Sequence, residues 1–151
     1  MTTYVLLMTL LASTTNTYST QAYGKAYQEF QEDGRPLVIL VGADWCPGCR
    51  TMKMSSLPAA GNRGVFRDVN VTIVDVDQSR ELSQKLMRGN SIPQLIMYYK
   101  TETGTKRVQL TGAQSQQAIE QFVGRAFAGD AATASAPRNT TPADESLSAR
   151  R

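Results

Sequence analysis

Two neighbouring stretches constrain this chain more than the rest of it does. Pro36-Leu37-Val38-Ile39-Leu40-Val41 is an unbroken aliphatic run, and Trp45-Cys46-Pro47-Gly48-Cys49 follows after three residues. A run without polar interruption reads as a central strand covered on both faces. Arg50 to Leu57 reads as a helix. The only two cysteines of the 151 residues therefore lie between a buried strand and a helix N-terminus. Such a helix end carries partial positive charge and free backbone N–H groups. Both stabilise a thiolate at Cys46, the nucleophilic form, and lower its pKa from the free value of ~8.5. Cys49, one turn on, is placed to attack a mixed disulfide at Cys46. A purely structural bridge between them is the other reading, but so small a loop would constrain the unfolded chain little.

The remaining elements group around that stretch. Thr20 to Asp33 reads as a helix, with Tyr23, Ala26, Tyr27 and Phe30 at i, i+3, i+4 and i+7, Thr20 as N-cap and Gly34 as stop. Its aromatic stripe reads as core packing. Pro58 is expected to end or kink the helix after the cysteines. Residues 59–64 then form a loop and residues 65–69 a short helical turn. Val71 to Asp77 is the next strand. Ser79 to Arg88 is a helix with Leu82 and Leu86 inward, closed by Gly89-Asn90. Ser91-Ile92-Pro93 leads into a strand from Gln94 to Lys100, and Glu102-Thr103-Gly104 turns it into another from Lys106 to Leu110. After a bend at Thr111-Gly112-Ala113, Gln114 or Ser115 caps a last helix to about Ala128. Ala118, Ile119, Phe122, Val123 and Phe127 are expected on its apolar side. Strands joined through helices imply parallel pairing, and the Gly104 hairpin implies an antiparallel edge. The fold class is α/β, a mixed β-sheet flanked by helices on both faces.

Three segments result. Residues 1–19 contain an apolar run, Tyr4 to Ala12, shorter than the about 20 residues that span a bilayer and of the length of a signal-peptide core. No positive side chain precedes it. Cleavage after Ala12, Ser13 or Ala22 is left open, the last cutting into the next helix. The alternative is a first strand, or an apolar helix packed on the domain. An exported, periplasmic or otherwise extracytoplasmic location is the expectation, with the cytoplasm as alternative. Residues 20–128 make one domain. Residues 129–151 are rich in Ala, Thr, Ser and Pro, with Leu147 their one large apolar residue, and are expected to be a disordered tail. Lys+Arg 16 against Asp+Glu 13 is a small basic excess. With no run of like charge and no aromatic–basic interleaving, it argues against a nucleic-acid partner. The absence of histidine removes imidazole chemistry and most zinc sites, and two cysteines alone do not complete a four-ligand site, so no metal is expected.

Three features, in order, resemble the thioredoxin-like fold family from about Thr20 to Ala128. They are Trp45-Cys46-Pro47-Gly48-Cys49 after a buried strand, Ile92-Pro93 before the next-to-last strand, and Gly112 before the last helix. Gly42-Ala43-Asp44-Trp45-Cys46, Met52 and the helix before the first strong strand are more similar to exported thiol:disulfide interchange domains than to small cytosolic thioredoxins. The resemblance implies a thiol–disulfide oxidoreductase that needs no cofactor beyond a redox-active Cys46–Cys49 disulfide. Cys46 would attack and Cys49 resolve. Pro93 would be a cis-proline opposite them, leaving the Ile92 backbone to pair with a substrate strand. Trp45, Pro47 and Gly48 would shape the docking surface. The implied partners are protein thiols or disulfides and a membrane or soluble thiol reductant, with the chain a monomer.

The chain departs from thioredoxins at one informative place. Their buried acid, six residues before the first cysteine, helps move the proton of the resolving thiol; here that position is Leu40. The lysine that often pairs with it aligns with Ile73. Losing both together leaves neither charge unpaired, and implies slower or water-mediated deprotonation of Cys49. Asp44, the nearest acid, is expected to be solvated. Pro47 removes one N–H near Cys46 yet starts a helix well, so the redox direction stays open; Ile92 before Pro93 resembles reductases. The alternative function is a thioredoxin-like binding module that holds a partner peptide or thiol with little turnover. A third reading, thiolate capture of a soft ion such as Cu(I), lacks a Met or His adjacent to the pair, Met52 being one to two turns away.

Overall fold

The structure, a computed structural model, describes residues 21–128. The Thr20 cap, the apolar run at 4–12 and the tail from 129 lie outside them. The elements are α1 (Tyr23–Asp33), β1 (Leu37–Gly42), α2 (Pro47–Thr51), a π-helical segment (Met52–Ser56), α3 (Leu57–Asn62), β2 (Asn70–Asp75), α4 (Arg80–Leu86), β3 (Gln94–Thr101), β4 (Gly104–Thr111) and α5 (Gln116–Gly124). The sheet order is β2-β1-β3-β4.

Every residue of β1 is buried, because a strand lies on each side of it and helices cover both faces. Val38 and Leu40 share one core with Met52, Leu57, Ala60, Ile119 and Phe122, under the helices that follow the cysteines and under α5. Leu37, Ile39 and Val41 share the other with Ala26, Phe30 and Leu86, under α1 and α4. The period-two alternation of one strand thus feeds two cores.

The pairing differs in part from the expectation. β1 and β2 are parallel, but β3, also reached through a helix, is antiparallel to β1. The connection from β2 to β3 begins and ends at the carboxyl end of β1. Val76 N–H donates to Gly42 C=O at 2.9 Å, and Gln94 pairs with Val41. A chain that does not travel back along the sheet enters its next strand in the opposite sense. β3 and β4 form the expected antiparallel hairpin.

Pro58 does not end the helix, and residues 59–62 are helical rather than loop. The turn before it widens: Leu57 N–H bonds back to Met52 C=O, five residues away. The wider turn relieves the usual clash between the proline ring and the carbonyl four residues earlier, and Pro58 falls in the first turn of α3, where a missing N–H matters least. Residues 63–68 are turns. α1 begins after Ala22 and ends at Gly34, whose φ of 75° is the left-handed stop expected of it. Within its aromatic stripe only Ala26 and Phe30 are core; Tyr27 stacks on Tyr23 and is 42% exposed. Ser115 is the cap of α5, accepting from Ala118 N–H at 3.2 Å. That helix stops at Gly124, so Phe127 is exposed rather than on its buried face.

Candidate redox site

The site grows from the carboxyl end of β1. Gly42, the last strand residue rather than a linker, has no room for a side chain: a Cβ there would stand 2.8 Å from Cys49 Sγ. The Cys49 sulfur therefore rests against the strand end. Cys46 N–H donates to Ala43 C=O at 3.2 Å, turning the chain into the helix. Cys46 is the N-cap of α2 in extended conformation, with Pro47 opening the helix.

Cys46 and Cys49 are joined by a disulfide with a Cα–Cα distance of 5.2 Å, within the usual range. Cys49 N–H donates to Cys46 Sγ at 3.2 Å. The helix thus directs one of its free N–H groups at the first sulfur. Both cysteines are buried, with Ala43, Val76 and Ile92 packed around them.

Two more segments close the site. The Ile92–Pro93 peptide bond is cis. A Cβ on Gly48 would lie 3.4 Å from Pro93 Cδ and 3.3 Å from Ala113 Cβ, so the glycine lets the helix start meet both. Gly112, at φ +89°, donates its N–H to Pro93 C=O at 2.8 Å. Cys46, Pro47, Gly48, Cys49, Ile92 and Pro93 are thereby brought together from distant parts of the chain. Among the described residues, neither the N–H nor the C=O of Ile92 has a backbone hydrogen bond.

Trp45 stands on the rim, 66% exposed, its indole N–H donating to Asp77 Oδ2 at 2.8 Å. Asp77 is a site neighbour that sequence reasoning missed. Asp75, two residues earlier, accepts from the N–H groups of Asp77 and Gln78 at 2.9 and 3.1 Å. That is an Asx turn, and Asp-x-Asp at a strand end was the available signal for it.

Asp44 is exposed, but it is not merely solvated: Lys53 Nζ lies 2.6 Å from its carboxylate. That hydrogen bond and the lysine's charge hold the Asp44 carboxyl below the usual range, with a smaller contribution from Arg50. Leu40, 1% exposed, is the register partner of Ile73, so the two positions argued to have lost a charged pair do stand side by side. Met52 is fully buried in the core with Leu40 rather than in the cluster around the sulfurs. Among the described residues no group of three or more His, Cys, Asp or Glu side chains gathers as a metal site would need, and no helix is long and apolar enough to cross a membrane.

Known proteins share this architecture. The thiol:disulfide interchange protein TxlA homolog of Synechocystis sp. is 31% identical over 93 residues, 61% of this chain and 49% of that protein. The chain thus spans about half the length of that relative. A chloroplastic thioredoxin z superposes with a TM-score of 0.62 at 20% identity, covering 75% of this chain and 96% of its own. Trxlp from Edwardsiella tarda superposes with a TM-score of 0.55 at 26% identity, covering 72% and 97%. A thioredoxin from Thermus thermophilus gives 0.56 at 21%, covering 68% and 81%. The family model of the thioredoxin-like domain matches residues 23–127, well over half of the chain, and the chain belongs to that family.

Proposed function

We propose that this protein is a thiol–disulfide oxidoreductase that exchanges disulfides of partner proteins through Cys46. One observation carries the reading: the Cys46–Cys49 disulfide sits at a helix N-terminus, with Cys49 N–H directed at Cys46 Sγ. In the dithiol form the same N–H and the helix-end charge would stabilise a Cys46 thiolate. The thiolate would attack one sulfur of a partner disulfide, forming a mixed disulfide and releasing the other sulfur as thiolate. Deprotonated Cys49 would then attack Cys46 Sγ, releasing the second partner sulfur and forming the Cys46–Cys49 bond. Two electrons pass to the partner, whose thiolates take up two protons. A thiol reductant would return two electrons to this chain for the next cycle.

The surface around the pair suits a protein substrate. Trp45 offers an exposed flat face, and the Ile92 backbone, beside the sulfurs, is available to an extended segment. The interchange activity in the name of the Synechocystis relative supports the same reading. The setting proposed is extracytoplasmic, resting on the apolar run from Tyr4 to Ala12; fractionation of cells expressing the full chain tests it.

The chemistry is tested with the reduced full-length chain and a disulfide-bonded protein. Wild type reduces the substrate and Cys46→Ser does not. Cys49→Ser accumulates a mixed disulfide, seen on a non-reducing gel and cleared by dithiothreitol. A Cys46→Ser variant that traps partners while Cys49→Ser does not would reverse the two roles. Failure of wild type and both variants to react would leave the binding-module reading in its place.

A further inference from the structure

The connection from α4 to β3 carries Ile92 and Pro93 to the disulfide, yet residues 88–91 are exposed. One buried side chain ties this stretch down. Gln94, the first residue of β3, is 0% exposed, and its main chain is paired with Val41 of β1 and Thr111 of β4. Its amide turns back into the connection. Oε1 accepts from Arg88 N–H at 3.1 Å, while Nε2 donates to Arg88 C=O at 3.0 Å and to Ser91 C=O at 2.9 Å. All three bonds go to main-chain atoms just before Ile92, and both amide protons are used. The start of the connection is tied to the sheet as well, where Arg107 Nη2 of β4 donates to Leu86 C=O at 2.7 Å.

The surroundings make the choice of residue informative. Leu95, Ile96 and Met97, which follow Gln94, and all of β1 are apolar and buried. An apolar side chain would suit the sheet at position 94; the amide serves the connection. We infer that Gln94 is a positioning residue, holding the 88–92 main chain so that Ile92 presents its backbone to an extended segment of a protein substrate beside Cys46. The inference rests on the proposed function. A small disulfide needs only access to Cys46 Sγ. A protein segment also needs the Ile92 edge already in place, and a loosened edge must be ordered at the moment of binding. The loss then falls on KM for the protein substrate.

The test uses Gln94→Met in the full-length chain, which keeps length and burial and removes all three bonds. The probes are insulin as protein disulfide and dithionitrobenzoate as small disulfide. The expected result is a KM for insulin about tenfold higher, with kcat/KM for the small disulfide falling less than about threefold and the reduction potential unmoved. An equal loss on both probes, or no loss on either, overturns the inference while the proposed function stands. Wild type that reduces neither probe overturns both. Should Gln94→Met fail to fold, amide hydrogen exchange on wild type decides. Arg88 N–H is expected to exchange at least about tenfold more slowly than its neighbours Gly89 and Asn90, because Gln94 holds it. Equal exchange at the three amides overturns the inference.

Discussion

Cys49 is seated by a missing side chain. With a Gly42 Cβ set to meet Cys49 Sγ at 2.8 Å and Cys49 Cβ at 2.9 Å, Gly42→Ala must displace the cysteine or the strand end. We expect the oxidised variant to lose about 1–3 kcal/mol of stability, the usual result of overfilling a packed site, measured as a lower urea midpoint. An unchanged midpoint would mean that the helix start can shift freely. At the rim, Asp44 gives a pH dependence with a definite sign. Its carboxyl is held below the ordinary value by the Lys53 hydrogen bond, so the pair's contribution is full above the ordinary carboxylate range and fades as pH falls through the lowered value. Lys53→Met should therefore lower the urea midpoint at pH ~7 and cease to matter at pH ~2. A difference that persists in acid would contradict the assignment. Cys46 and Cys49 were legible in the sequence because their relation is local. The Gly42–Cys49 contact, the Asp44–Lys53 pair and the Trp45–Asp77 bond were not, since each depends on how one element lies against another.

Among the elements, β1 was the easiest to read and the helix after it the hardest. The aliphatic run at 36–41 admits little but a buried strand. Pro58 read as a break because the rule for proline assumes bonds to the fourth residue back. The π-helical turn at Met52–Ser56 evades that rule, and no Gly or Pro in that segment announces it. Met52 and Leu57, both fully buried, anchor the continuing helix against the core. β1 and β2 also set side by side the two residues that separate this chain from the thioredoxins it resembles. Leu40→Asp places a lone carboxyl in that core, with an expected loss of about 3–5 kcal/mol. Because Leu40 and Ile73 are register partners, the double variant Leu40→Asp/Ile73→Lys should be less destabilised than the two singles summed, by about 1–3 kcal/mol. Resolution of a Cys46 mixed disulfide should be faster with the acid present. A double variant that is merely additive, or a resolution rate that does not move, would count against the view that an internal base has been lost here.

At the scale of the whole molecule, the mixed sheet brings three segments to one end: the turn after β1, Ile92–Pro93 before β3, and Gly112–Ala113 after β4. Their order was visible in the sequence. Their convergence required the sense of β3, which the helical connection alone misassigned. The disulfide also stands apart from an open groove of about 330 Å³ between residues 64–68 and the end of α5, which none of the site residues lines. Under the proposed function, a substrate arriving as an extended protein segment would meet an edge at Ile92 and a flat flank at Trp45. Trp45 is the only tryptophan of the chain and directly precedes Cys46, so its fluorescence is expected to change with the state of the pair. The decisive measurement is a redox titration of Cys46–Cys49 in the full-length chain, equilibrated across dithiothreitol and glutathione mixtures and read by thiol trapping alongside that fluorescence. A redox-active pair predicts one reversible two-electron transition, its population ratio changing tenfold for each ~30 mV. A pair that stays oxidised in excess dithiothreitol, or never closes again once reduced, would contradict it.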